Sequence, residues 1–185
     1  IIGISYSVAA FPTLVDYFNK KNFVEFVAHV MAPIRQIIFW SFPVIALFIV
    51  LRAQIVRVIL GTGNFDWSDT RLTAASLALF IISVVAQSIV LLLIRAYYAS
   101  GRTWKPLWIT LVSSGLTIFF AYIFIYIYQT IPSIQNFFEG LLRIQGVTGS
   151  SVIMLSLAFS VGVFLNLVIC LLYTSPSPRD KRQSR

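Results

Sequence analysis

Side chains able to do chemistry are scarce in this sequence, and where they stand matters more than how many there are. There are six acidic residues, well dispersed, one histidine, His29, and one cysteine, Cys170. A metal centre needs several His, Cys, Asp or Glu side chains converging on one point, and no such spacing occurs, so neither a metal nor a cofactor is expected. A membrane-embedded acyl- or glycosyltransferase would need acidic or histidine side chains clustered at one membrane face, and the dispersed carboxylates argue against that class. Cys170 has no second cysteine to bond and lies in an apolar run, where it reads as a small buried apolar residue. Gly61 and Gly63 are followed by no phosphate-loop lysine, so they read as a tight turn.

What is left is a set of cations placed at the ends of apolar runs. Arg95 closes the longest of them and is the leading candidate to face a cavity or a lipid phosphate, because a planar guanidinium donates two parallel hydrogen bonds to phosphate oxygens. The competing reading is a cation that snorkels to the interface. Tyr98 stands at the same level, as a hydrogen-bonding partner or as part of an aromatic belt. Arg35 opens another apolar run, as a headgroup anchor or a substrate contact. Arg52 and Arg57 need not share a helix face and read as flanking an interface. His29 is either a proton-coupling group or a surface histidine on a stretch of mixed polarity. Gln87, Ser88 and Asn166 lie mid-run, where polar groups hold helices together.

The elements that carry these residues are set by hydrophobicity. The chain has 185 residues, of which 58% are apolar, 15% aromatic and 11% charged, with a mean hydropathy of +0.88. A soluble domain of this size could not hide so much apolar surface. Runs near the ~20 residues that cross a ~30 Å hydrocarbon core predict spanning helices. The net charge of +8 does not indicate a nucleic-acid partner, because the cations are scattered at run ends and Arg179, Lys181, Arg182 and Arg185 sit in a terminal tail. Membrane lipids are the expected partners.

The pattern predicts an all-α, polytopic transmembrane helical bundle. Residues 1–15 read as the end of a transmembrane helix closed near Pro12, and residues 16–33 as a polar turn and an interfacial helix with a boundary or kink at Pro33. Residues 34–173 read as a membrane domain with four spans, about 34–51, 71–94, 107–128 and 152–172. The first contains Pro43, where a kink is expected, and extends toward Leu60 on a longer reading. Asp66 or Ser68 is placed to cap the second, and Pro106 fits the first turn of the third. Between the third and fourth, Asn136 to Ile144 could lie on the membrane surface. With no initiator Met and an opening Ile1-Ile2-Gly3-Ile4, the chain is expected to start mid-protein. Residues 174–185 resemble translated sequencing adapter and are expected to be a disordered, non-native tail without function.

Four segments, in order, resemble the MurJ/MviN family of the multidrug/oligosaccharidyl-lipid/polysaccharide (MOP) exporter superfamily. Ala10-Phe11-Pro12-Thr13-Leu14 is similar to the L-P-x-L that ends the family's eighth helix. Pro43, then Ile55 to Leu60 and Gly61-Thr62-Gly63-Asn64-Phe65, is similar to its ninth helix and outer turn. Asp69-Thr70 leads into a helix like its tenth, and Arg95-Ala96-Tyr97-Tyr98-Ala99 with Pro106 resembles its R-A-F-Y-A … T-P. The resemblance covers about residues 3 to 172, from the end of helix eight through helix twelve of a fourteen-helix protein, and so implies a partial MOP/MATE-like lobe.

The resemblance implies export of lipid II, a lipid-linked peptidoglycan precursor, across the bacterial inner membrane by alternating access between two lobes. No bond is made or broken, so the protein is not expected to be an enzyme. The loops at Lys20/Lys21 and Arg102/Lys105 would be cytoplasmic. Most of the family's headgroup arginines lie on earlier helices. A sodium site found in some members aligns with Ala121 and Ile125, which offer no side-chain oxygen, so no such site is expected. Alternatives are another transporter of the superfamily, such as a polysaccharide or O-antigen flippase or a drug/cation antiporter.

Overall fold

In hydrocarbon a backbone N–H or C=O has no water to bond, so a crossing segment must close its hydrogen bonds within itself. The computed structural model describes residues 2–20, 22–61, 66–101, 103–142 and 149–174, and among them there is no strand. The helices are α1 (Ile2–Asn19), α2 (Phe23–Leu60), α3 (Trp67–Ala99), α4 (Trp104–Thr130), α5 (Pro132–Leu142) and α6 (Val152–Thr174). Four of them, α2, α3, α4 and α6, are long and apolar enough to cross a membrane.

Helix ends fall where local chemistry puts them. Helix α1 runs past Pro12 and takes in Asp16, whose carboxylate accepts from Lys20 Nζ at 2.7 Å. Asn22 caps α2 by accepting from Glu25 N at 3.3 Å. Helix α2 then continues unbroken through Pro33 and Pro43 for 38 residues. Sequence reading places a boundary or kink at Pro33; the structure shows no boundary there, each proline removing a single donor from a helix that continues on both sides. At about 57 Å, α2 is far longer than the hydrocarbon core, so part of it lies in an interface.

Between α2 and α3, the Gly61 N–H returns to Arg57 O at 2.9 Å. Asp66 caps α3 in a reciprocal box with Asp69, and the Arg57 guanidinium lies 5.5 Å from the centroid of the Trp67 ring. Gly63 and Phe65 lie outside the described residues, as do Arg102, Arg143, Ile144 and the tail from 175 to 185. Gly101 turns the chain toward α4 with φ +70°, and Pro106 is buried in the first turn of α4, where no donor is needed.

Helix α3 packs on α1, α2 and α6, and α6 packs in turn on α4. One core cluster lies toward the C-terminal end of α3 and unites Leu14, Ile37, Leu92, Ala96, Ile109 and Cys170. A second lies toward its N-terminal end and unites Ala75, Tyr128, Leu142, Ile153 and Met154. Elsewhere the usual order of a globular protein is inverted. Phe42 is 78% and Val58 82% exposed on α2, a surface suited to lipid or further helices.

Lipid tails are as apolar as leucine, so helices here gain from close approach and hydrogen bonds. Both occur on α6. A Cβ at Gly162 would overlap Thr117 Oγ1 and come within 2.8 Å of Thr117 Cβ. Two residues earlier, and so on another side of α6, Ser160 Oγ donates to Leu79 O on α3 at 2.9 Å. Gly162→Leu is therefore expected to lower stability by about 1–3 kcal/mol through overpacking. Gly115→Leu, where the added side chain meets open space, leaves it unchanged or slightly higher. Thermal unfolding in detergent distinguishes them; equal melting temperatures would mean that α4 and α6 do not meet at Gly162.

Candidate lipid-headgroup site

The alternating sides of the last turns of α3 send consecutive residues of Arg95-Ala96-Tyr97-Tyr98-Ala99 to different neighbours. Ala96 and Ala99 enter the core shared with Leu14 of α1 and Val30 and Ile37 of α2. Tyr97 is buried and its hydroxyl donates to Cys170 O on α6 at 3.3 Å. Tyr98 is 47% exposed and lies one turn from Arg95 on a shared side of the helix. Arg95 itself is half-buried, and its Nε is enclosed without a hydrogen-bond partner among the described residues. Leaving such a donor unpaired costs about 1–3 kcal/mol. The guanidinium is thus held by packing around its stem.

Arg35 stands on α2 between Ile34 and Ile37, which join the same core cluster as Ala96. It shares that end of the bundle with Arg95 but is exposed on the outer face of α2. The structure therefore brings Arg95 and Tyr98 to one side of α3 and places Arg35 at the same end on a different face. Pro12 and Pro43 are exposed within α1 and α2, so neither is held by a tight contact.

Beside Arg35 an open trough of about 490 Å³ separates α1 from α2, walled by Ala9, Ala28 and Ala32 and edged by Thr13, His29 and Gln36. The alanines leave the space; the polar tips line its rim. His29 Nδ1 lies 3.0 Å from Glu25 O, and because a carbonyl only accepts, Nδ1 carries the proton. The imidazole leans on the Tyr17 ring at 4.5 Å and its side chain is 40% exposed, with Glu25 Oε2 3.8 Å from Nδ1. Nearby, the hydrogen bond that Lys20 donates to Asp16, and then the carboxylate's charge, raises the Lys20 pKa above the ordinary lysine value. That pair is intact through neutral pH and dissolves as pH rises past the raised value.

Two features have only a faint sequence signature. The first is a polar latch at the opposite end. The Tyr128 and Ser150 hydroxyls lie 2.8 Å apart and reach Glu139 Oε1 at 3.1 and 3.3 Å, while Gln135 Nε2 donates to the same oxygen at 2.9 Å. The visible sign is Gln135 and Glu139 four residues apart, one helical face of α5. The second is the α6 seam of Ser160 and Gly162. The mid-run polar groups singled out from sequence act more locally. Ser88 Oγ bonds to Val84 O of its own helix at 2.8 Å, Gln87 is exposed, and Asn166 Oδ1 accepts from Cys170 Sγ at 3.7 Å, also within one helix. Among the described residues no three His, Cys, Asp or Glu side chains converge as a metal site would require.

Long apolar helices with their bulky side chains turned outward, joined by small-residue and hydroxyl contacts, define a multi-pass α-helical membrane protein. Over residues 1–179 the chain matches the family described as lipid II flippase MurJ, and it belongs to that family. It is 27% identical over 113 residues to a protein of Bdellovibrio bacteriovorus named "Probable lipid II flippase MurJ". The match takes in 61% of this chain and 22% of that relative, so the chain spans a minor part of the relative's length. No solved structure matches the chain.

The latch yields a test of its own. Tyr128→Phe and Glu139→Gln each remove part of one network, so their effects on unfolding free energy should not add. A double-mutant cycle is expected to give a coupling of about 0.5–3 kcal/mol. Strict additivity in detergent unfolding would mean that Tyr128 and Glu139 do not bond.

Proposed function

We propose that this chain is a segment of a bacterial inner-membrane flippase that moves lipid II by alternating access, making and breaking no bonds. The observation that carries this reading is the family match along residues 1–179, which spans all the described helices. It favours lipid II transport over the other transporters of the superfamily. In this reading residues 16–33 and the α3–α4 turn face the cytoplasm, and residues 34–173 are the membrane domain.

Arg95 is the contact proposed for the pyrophosphate, with Tyr98 beside it and Arg35 at the same membrane level. Three properties support the choice. Arg95 stands at the end of a spanning helix, its fork geometry matches paired phosphate oxygens, and its half-buried position with Nε enclosed limits where the charge can sit. A lipid-linked substrate has a tail as well as a headgroup, and the alanine-walled trough with its polar rim suits an amphiphile.

Cells depleted of their own flippase test both levels. The full-length protein is expected to restore growth. Arg95→Ala at equal abundance should lower lipid II translocation about tenfold, equivalent to about 1.4 kcal/mol, with Arg95→Lys in between because it keeps charge but loses the fork. Failure of the well-expressed unaltered protein would sink the flippase reading. Full activity of Arg95→Ala would remove Arg95 from the substrate path and leave the family reading standing.

A further inference from the structure

Helix α5 carries one apolar arc, and the bundle covers only half of it. Successive residues on an α-helix are about 100° apart. Phe138 and Leu142 therefore share a side, and both pack into the cluster with Tyr128, Ile153 and Met154. Adjoining them on the arc are Phe137 and Leu141, 63% and 64% exposed. Of the other exposed positions, Ser133 and Gly140 border Phe137 and Asn136 lies farther round the helix, while Gln135 and Glu139 are taken up by the latch.

We propose that Phe137 and Leu141 sit in the bilayer, at the boundary between lipid headgroups and acyl chains, and that α5 anchors the α4–α6 connection to the membrane surface. Three observations identify lipid as the occupant. Helix α4 is 27 residues long, about 40 Å, so its last turns emerge from a ~30 Å core at headgroup level. Only Ile131 separates α4 from α5, which keeps α5 at that level. Near the end of α4, moreover, Tyr126, an aromatic suited to the interface, is largely exposed.

The latch fixes the roll of the helix. With Glu139 tied to Tyr128 and Ser150, the Phe137–Leu141 edge cannot rotate toward water without breaking those bonds. The Asn136 side then faces the aqueous phase. The connection is thus a shallow insertion with a fixed orientation.

The test is spin labelling of the full chain in vesicles of phosphatidylethanolamine and phosphatidylglycerol, using Asn136→Cys, Phe137→Cys and Leu141→Cys one at a time. Cys170 is buried, so the unsubstituted chain serves as the labelling blank. The expected result is more collision with oxygen than with a water-soluble nickel chelate at 137 and 141, and the reverse at 136. Nickel access at 137 and 141 would place that face in water and overturn the proposal. Exclusion of both reagents there, with an immobilised spectrum, would mean that protein covers it, and would overturn the proposal as well.

Discussion

The controlling constraint is that hydrocarbon offers nothing to a backbone dipole and nothing special to an apolar side chain. The first half of that statement makes every crossing segment a helix. The second removes burial as a reason for one helix to choose another, and leaves shape and hydrogen bonds to decide. In this chain both are concentrated on α6. Gly162 lets it approach Thr117 on α4, Ser160 bonds the Leu79 carbonyl on α3, and the Cys170 carbonyl receives Tyr97. Helices α3 and α4 touch each other little, so α6 is what joins them.

That division explains what the sequence discloses. Helix existence follows from the length and greasiness of a run, which any window of residues displays, so the spanning class is legible from composition alone. Helix ends are harder. Asp16 looks like the start of a polar turn, but four residues on Lys20 pairs with it and α1 keeps going. Pro33 looks like a stop, but it sits in a segment where losing one donor is less costly than ending a helix in lipid.

The candidate site was legible in type and not in arrangement. Arg95 announces itself as a charge closing an apolar run, whereas the enclosure of its Nε depends on helices brought up from elsewhere. The same holds for the bonds between helices. Gln87 and Ser88 have the polarity expected of helix glue, yet they stand on the wrong side of α3 or turn back on their own backbone. Ser160, no more polar than Ser88, faces a neighbour and bonds it. Nothing local separates the two serines, because facing is a property of the assembled bundle.

The two ends of the bundle are held in different ways, and under the proposed flippase reading that difference would matter for transport. At the latch end, Tyr128, Ser150, Gln135 and Glu139 share one carboxylate oxygen, so a rotation there must break several bonds together. At the Arg95 end the contacts of α1 and α2 are largely apolar, and α2 carries two prolines. Pro33 cannot donate to the carbonyl of His29, nor Pro43 to that of Phe39, so the ladder is thinnest in the helix that walls the trough. Alternating access requires parts that stay rigid beside parts that yield. In this segment the rigidity comes from hydroxyls and a glycine around α6, and the weaker ladder lies in α2, next to the cation most suited to a phosphate.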